Sequence, residues 1–254
     1  MMEAATGLTR LQRIMGDMAR IQPRWNEEFN ALLSRRLQGE PTQYILGTAA
    51  FFGRDFFVTP DVLIPRPETE LLVEWVVQCA RLIPNPRILD LGTGSGCIAT
   101  TLALELPGSK VTAIDISLEA LAVAKKNATT LGADVSFLHA DMLLEAPPAG
   151  DYDLIVSNPP YIPEVEKTDM QREVLDHEPH LALFPGDDVL LFYRRLAEIG
   201  PDALGKGGWM AMEMHSGHAR EACALFERKP FSELMVHRDL AGLDRFVTVR
   251  VDAS

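Results

Sequence analysis

The chain has 254 residues, a formal charge of −12, 47% hydrophobic side chains and 24% charged ones. That is room for one large domain, or a large and a small one, around a substantial core, with an ordinary globular composition. The charge argues against holding long nucleic acid through its phosphates; no apolar run is long enough to span a membrane, and no signal-peptide apolar stretch opens the chain.

The charge is uneven. Residues 1–40 carry six basic and five acidic side chains, a net of +1, whereas the remainder carries 18 and 31, a net of −13. An acidic surface suits a basic protein partner better than naked DNA or RNA. Cys79, Cys97 and Cys223 are widely spaced with no CxxC pair, so they read as reduced thiols of a cytoplasmic protein, without a disulfide framework or zinc site.

In chain order, residues 9–38 are helix-like and broken by Pro23. Leu11, Ile14, Met15 and Met18 repeat at helical spacing, as do Trp25, Phe29, Leu32 and Leu33. Residues 41–63 are aromatic and β-prone through Tyr44-Ile-Leu-Gly47 and Phe51-Phe-Gly-Arg-Asp-Phe-Phe-Val58, which suggests a hairpin linker. Pro65-Arg-Pro-Glu-Thr-Glu70 then opens a helix over 71–81, with Pro67 near its first turn and acids favoured by its dipole.

From Arg87 strands and helices alternate in the doubly wound manner. Strands are expected at 87–91, 110–115, 135–139, 152–157 and 208–214, and helices at 96–106, 118–131, 188–204 and 217–228. Residues 232–239 and 245–251, around Gly242, read as a closing β-hairpin. The expected organisation is a helical segment at 1–40, a hairpin linker at 41–63 and an α/β domain at 64–254.

The first strand of that domain runs into Gly92-Thr93-Gly94-Ser95-Gly96. Glycines at such a turn let the backbone approach a ligand closely at a helix N-terminus. The dinucleotide fingerprint would need a third glycine where Cys97 stands, so the spacing is wrong for typical NAD binding. Asp115, 19 residues beyond Gly96, ends the second strand where a carboxylate can hold ribose hydroxyls. Asp141-Met142 follows the third strand: Asp141 can accept from an adenine amino group and Met142 can pack against the ring.

The fourth strand ends in Asn158-Pro159-Pro160-Tyr161. A planar amide or ring-amino nitrogen is a poor nucleophile because its lone pair is delocalised. Acceptors on its N–H bonds draw it out of conjugation. Asn158 offers a side-chain carbonyl, the prolines present backbone carbonyls in a stiff turn, and Tyr161 offers a flat face. His177 and His180 are separated by Pro179, and His215 with His218 has no completing ligand nearby, so no metal centre is expected.

With these motifs the chain resembles the bacterial release-factor glutamine N5-methyltransferases over about residues 41–251. The resemblance rests on Tyr44–Gly47, Leu63-Ile-Pro-Arg-Pro-Glu-Thr-Glu70, Ile88–Gly96, Ile155–Ile162 and Glu178-Pro-His-Leu-Ala-Leu183. It implies a helical N-terminal domain, a β-hairpin linker and a seven-stranded class I methyltransferase sheet closed by an antiparallel hairpin. It also implies S-adenosylmethionine as methyl donor, with Gly92, Thr93, Gly94, Ser95 and Gly96 around its amino-acid end. Asp115 would meet the ribose, Met142 the adenine edge, and Asn158 and Pro159 the substrate amide, with Pro160 and Tyr161 completing that site. Arg66 and Glu68 fall at the substrate mouth by the same resemblance. The implied partner is a peptide-chain release factor, with no membrane and no stable nucleic-acid binding.

Two features depart from the family pattern. The segment before the hairpin is about 40 residues, which is short, and Glu213 is followed by Met214-His215 where Glu-X-Gly is common. Asn-Pro-Pro-Tyr is shared with adenine and guanine amino-methyltransferases, so a nucleobase substrate remains an alternative, as does a non-catalytic cofactor-binding scaffold.

Overall fold

A computed structural model of the chain describes residues 1–9, 11–12, 23–148, 150–227 and 230–252. The expected helical repeat at Ile14, Met15 and Met18 lies outside the described residues. Before the hairpin come α1 (Met2–Thr6), α2 (Pro23–Leu37) and α3 (Thr42–Leu46). The hairpin itself is β1 (Thr48–Phe51) paired antiparallel with β2 (Arg54–Phe57).

Tyr44, Ile45 and Leu46 were expected in the β-prone linker, but they form a helical turn. Pro41 sits at its N-cap, and Gly47 closes it in the left-handed region at φ 73°. The Tyr44 hydroxyl donates to the Val62 carbonyl at 2.6 Å, which fixes the turn to the chain beyond the hairpin.

The larger unit comprises α4 (Pro67–Ala80), β3 (Arg87–Leu91), α5 (Cys97–Glu105), β4 (Lys110–Asp115), α6 (Leu118–Leu131), β5 (Val135–His139) and β6 (Tyr152–Ser157). Short helices α7 (Arg172–His177) and α8 (His180–Leu183) follow, then α9 (Leu191–Ala203), β7 (Leu204–Glu213), α10 (Ala219–Ala224), β8 (Phe231–Arg238) and β9 (Asp244–Val251). The strands form one seven-stranded sheet ordered β5-β4-β3-β6-β7-β9-β8. Its first five strands in space are parallel, while β9 runs antiparallel to both β7 and β8. This is the doubly wound sheet with a closing hairpin that the sequence implied.

The central strands are nearly continuous apolar runs because helices cover both faces. Ile88, Leu154, Val156 and Ala211 pack under Leu72 and Val76 of α4 and Leu102 of α5. Leu89, Ile155, Met210 and Met212 face the other way, against Tyr193 and Leu196 of α9 and Phe226. That alternation is the period of two of a pleated strand. The largest boundary shifts are three. α4 begins at Pro67 rather than 71; β7 begins at Leu204 rather than 208, with an irregularity between Tyr152 and Leu154 opposite its glycines. The helix expected at 217–228 is a 3-10 turn, Ser216–His218, followed by the six-residue α10.

Strand order reverses between β3 and β6: from β3 the chain moves outward through β4 and β5, then returns to β6 on the other side. Ligand crevices of such sheets lie beyond the strand C-termini at this reversal. No described helix is long and apolar enough to cross a membrane.

Candidate active site

The crevice is an open cleft at this reversal. Its walls include Gly92, Thr93, Gly94 and Ser95 after β3, Asp115 after β4, Asp141 and Met142 after β5, and Asn158, Pro159 and Pro160 after β6. Arg66 and Thr69 at the start of α4 complete the rim beside the turn. Nearly all the residues singled out in the sequence therefore meet at one place.

Gly92, Gly94 and Gly96 all have positive φ, at 76°, 54° and 75°. A Cβ at Gly92 or Gly94 would meet nothing within 4 Å, so the backbone there borders open space. Gly96 is different. It does not line the cleft, and a Cβ on it would lie 2.8 Å from the Ala124 Cβ of α6. Its role is close packing behind the loop. The loop's amides are mostly engaged already: Gly92 and Thr93 donate to the Ile114 carbonyl at 2.9 and 3.0 Å, Gly96 to Thr93, and Gly94 to Asp115 Oδ2 at 2.7 Å. The loop thus offers close backbone approach more than a row of free donors.

Asp115 also accepts from the Ser117 N–H at 2.9 Å. Burial pushes its carboxyl up from the ordinary value, while the Ser117 and Gly94 N–H groups pull it down. Behind the loop, Asp90 is fully buried. It accepts from the Thr93 hydroxyl at 2.6 Å, and its Oδ1 has no hydrogen-bond partner among the described residues. The loop after β5 is pinned from α9: Arg195 donates to the Met142 carbonyl at 2.9 Å and to that of Glu145 at 3.0 Å. Asp141 turns one carboxylate oxygen to the Leu143 N–H at 2.8 Å.

At the β6 turn, the Ser157 hydroxyl donates to the Leu91 carbonyl at 2.7 Å, tying the ends of β6 and β3 together. Asn158 Nδ2 donates to Thr69 Oγ1 at 3.2 Å. Asn158 Oδ1 keeps no protein partner among the described residues. Tyr161 is the member of the motif that does not line the cleft. Its hydroxyl donates to Glu213 Oε1 at 2.8 Å, and its ring lies 6.2 Å from that of His215. Burial, and then the neighbouring Glu213 charge, hold the Tyr161 phenol well above its ordinary value, so it remains a donor. Glu213 also accepts from Thr69 Oγ1 at 2.7 Å. Burial pushes its carboxyl up, while Thr69, Tyr161 and Arg245 pull it down.

Arg66 reaches the Glu178 carboxylate at 2.6 Å, and Glu178 also accepts from the Ile64 N–H at 3.1 Å. This links the segment before α4 to the one before α8, which itself returns to the turn through Ile162 N–H and the Leu183 carbonyl at 3.0 Å. Glu68, assigned to the substrate mouth by resemblance, is not among the lining residues. The paired histidines serve locally: His180 contacts the Leu175 carbonyl, and His215 Nε2 lies 3.1 Å from Glu166 Oε2. Among the described residues, no group of three or more His, Cys, Asp or Glu side chains is placed to hold a metal.

Thr69 and Glu213, which the resemblance quoted without giving them a role, and Asn127, which no motif marked, emerge as site residues. Thr69 lies on the same buried stripe as Leu72, Val73 and Val76, and Asn127 on that of Ala120, Val123 and Ala124. A polar side chain on an apolar stripe was the available signal.

The methyltransferase small domain family matches residues 67–195, and the PrmC N-terminal domain family matches residues 1–47. A release factor glutamine methyltransferase of Bacteroides thetaiotaomicron is 46% identical over 226 residues, spanning 87% of this chain and 80% of that protein. One from Geobacter sulfurreducens is 40% identical over 254 residues, spanning 99% and 87%. Among solved structures, a methyltransferase from Pyrococcus furiosus superposes with a TM-score of 0.59 at 18% identity, covering 90% of this chain and 99% of that one, a likeness of fold.

Proposed function

We propose, from the premise that the chain belongs to the release factor glutamine methyltransferase family, that it methylates the glutamine side-chain amide of the Gly-Gly-Gln motif in peptide-chain release factors. The methyl donor is S-adenosylmethionine. On this reading residues 64–254 are the catalytic domain, residues 41–63 the linker and residues 1–40 the arm, in a cytoplasmic protein with a basic protein substrate.

The observation that carries the reading is the position of Asn158. It stands on the cleft wall with its NH2 group given to Thr69 and its carbonyl oxygen without a partner among the described residues. The glycine loop across the cleft fits a ligand brought close to backbone, because at Gly92 and Gly94 a side chain would project into open space.

When bound, the cofactor supplies an electrophilic methyl group on a sulfonium. The chain's own residues hold and orient the nucleophile. Asn158 Oδ1 and the Pro159 carbonyl accept the two N–H bonds of the glutamine amide, favouring a pyramidal nitrogen whose lone pair is less delocalised. Holding that nitrogen in line contributes through proximity. A bound donor would supply the methyl and keep the neutral thioether, while these acceptors hold the amide so that one of its N–H protons can pass to water. No strong base is required, and the carboxylates near the cleft favour a cationic donor.

Intact-mass analysis of a release factor incubated with this protein and S-adenosylmethionine tests the reading, alongside a substrate with the motif glutamine changed to alanine. A one-methyl gain on the first and none on the second supports it. No gain on either, with cofactor binding verified, sends the substrate search to nucleobases or the role to scaffolding.

A further inference from the structure

We propose that Thr69 and Glu213 fix which way the Asn158 amide faces, forming a hydrogen-bond relay that positions the catalytic carbonyl. The inference deepens the methyl-transfer reading and rests on it for the consequence, though not for the geometry.

An asparagine amide has an acceptor on one side and two donors on the other, in nearly the same shape. Only its partners decide which side meets the cleft. Here the decision is made two residues away. Glu213 ends β7 beside β6, whose Ser157 pairs in register with Met212, so Glu213 and Asn158 emerge side by side from the sheet. α4 brings Thr69 over both. Glu213 is 1% exposed; burial raises its pKa, but the Thr69 and Tyr161 hydroxyls and the Arg245 charge favour the ionised form, and a carboxylate can only accept. Its two oxygens take the Tyr161 and Thr69 hydroxyls at 2.8 and 2.7 Å. The Tyr193 hydroxyl donates to the Glu213 backbone carbonyl at 3.1 Å and steadies the strand end.

Thr69 has one hydroxyl proton, and Glu213 takes it. Toward Asn158 the Thr69 oxygen therefore presents lone pairs alone, so the atom facing it at 3.2 Å must be the NH2. The carbonyl oxygen is left for the cleft. A flipped amide would set oxygen against oxygen at Thr69 and aim two donors at a substrate nitrogen that is itself a donor. That orientation cannot accept the substrate N–H bonds. The Tyr161 ring sits off the cleft for a related reason: its hydroxyl occupies the second Glu213 oxygen and leaves the first to Thr69. Tyr161 is thus a positioning residue.

The test compares Thr69→Val, Thr69→Ser, Glu213→Gln and the Thr69→Val/Glu213→Gln pair in the full chain, by steady-state kinetics on a release factor and cofactor calorimetry. Thr69→Val keeps the shape and removes the relay. It should lower kcat about tenfold to a hundredfold while KM and cofactor Kd stay within about twofold. Thr69→Ser should recover most of that loss. In the double variant the losses should not multiply, because the glutamine acts on Asn158 only through the Thr69 hydroxyl, which the valine has already removed. A Thr69→Val enzyme with undiminished kcat, a serine variant no better than valine, or multiplied losses would overturn the relay.

A second readout needs no turnover. The Asn158 side-chain NH2 signals, seen by nitrogen-15 NMR, should include one proton protected from exchange, retained in Thr69→Ser and lost in Thr69→Val. If that holds while the wild-type protein leaves release factors unmethylated, the substrate reading falls and the relay stands. If Thr69→Val leaves those signals unchanged, the relay falls whatever the substrate.

Discussion

Asn127 and Phe57 are joined in both directions: the Phe57 N–H donates to Asn127 Oδ1 at 2.7 Å, and Asn127 Nδ2 donates to the Phe57 carbonyl at 2.9 Å. The same Nδ2 donates to the Ser95 carbonyl at 2.8 Å. One side chain, 2% exposed, therefore fastens the β1–β2 hairpin to the loop that lines the cleft. Asn127→Asp keeps the shape, loses both donated bonds and buries a charge against two carbonyls. A loss of about 3 kcal/mol in unfolding free energy is expected, with weaker cofactor binding. Urea titration and calorimetry check this; an unchanged urea midpoint would show that the hairpin is held by apolar packing alone.

Gly94 and Gly96 are expected to fail in different ways when changed to alanine. Both sit at positive φ, so each substitution carries about 1 kcal/mol of backbone strain. At Gly96 the new methyl also collides with Ala124 at 2.8 Å, with the Ala124 Cα at 3.0 Å, and packed cores yield poorly. Gly96→Ala should therefore cost stability by about 2–4 kcal/mol in total. Gly94→Ala should cost little stability, yet weaken cofactor binding at least about tenfold, because its methyl enters the cleft. Melting and calorimetry on both variants separate the effects, and the reverse pattern would disprove the assignment of Gly96 to packing.

The Arg66–Glu178 pair predicts a contrast of charge. Glu178 has a side chain 1% exposed, against 31% for Arg66. Removing the partly exposed partner strands a buried carboxylate with only the Ile64 N–H, so Arg66→Ala should cost about 2 kcal/mol, less than for a wholly buried pair. Glu178→Gln keeps an acceptor and adds no stranded charge, so it should cost about 1 kcal/mol or less. Because Arg66 also lines the cleft, KM for the protein substrate should rise more in Arg66→Ala than in Glu178→Gln. Equal effects of the two variants would argue that the ion pair does not hold the segment.

How much of this was legible depended on distance along the chain. The strands at 87–91, 110–115, 135–139 and 152–157 fall where expected, since each is a short β-prone run with a local stop. The cleft followed from them, because strand ends at a sheet reversal converge. What could not be read was pairing. Thr69 and Asn158 are 89 residues apart, and Phe57 and Asn127 are 70 apart. Residue type suggested that Tyr161 offers its ring; only the fold shows its hydroxyl occupied by Glu213. Likewise, spacing groups Gly96 with the other loop glycines, although its Cα faces α6. Tyr44 looked β-prone by composition, but the stop at Gly47 and the bond to Val62 make a helical turn.

Asp90 should leave a signature in the pH dependence of stability. It is fully buried, its Oδ1 has no hydrogen-bond partner among the described residues, and burial pushes its carboxyl up from 3.8 to about 7, with Thr93 pulling down and Asp115 pushing further up. A carboxyl raised on folding binds its proton more tightly in the native state. Its contribution is therefore fully present below pH 3.8 and is lost as pH rises through about 7. The shift corresponds to a loss on the order of 4 kcal/mol across that window. Asp90→Asn cannot ionise and still offers Thr93 an acceptor. The unfolding free energy of the variant minus that of the wild type should therefore grow by several kcal/mol between pH 5 and pH 8. Urea unfolding of both proteins at the two pH values measures it. A difference that stays constant would mean that Asp90 is ionised throughout, and that its second oxygen is satisfied in solution by water.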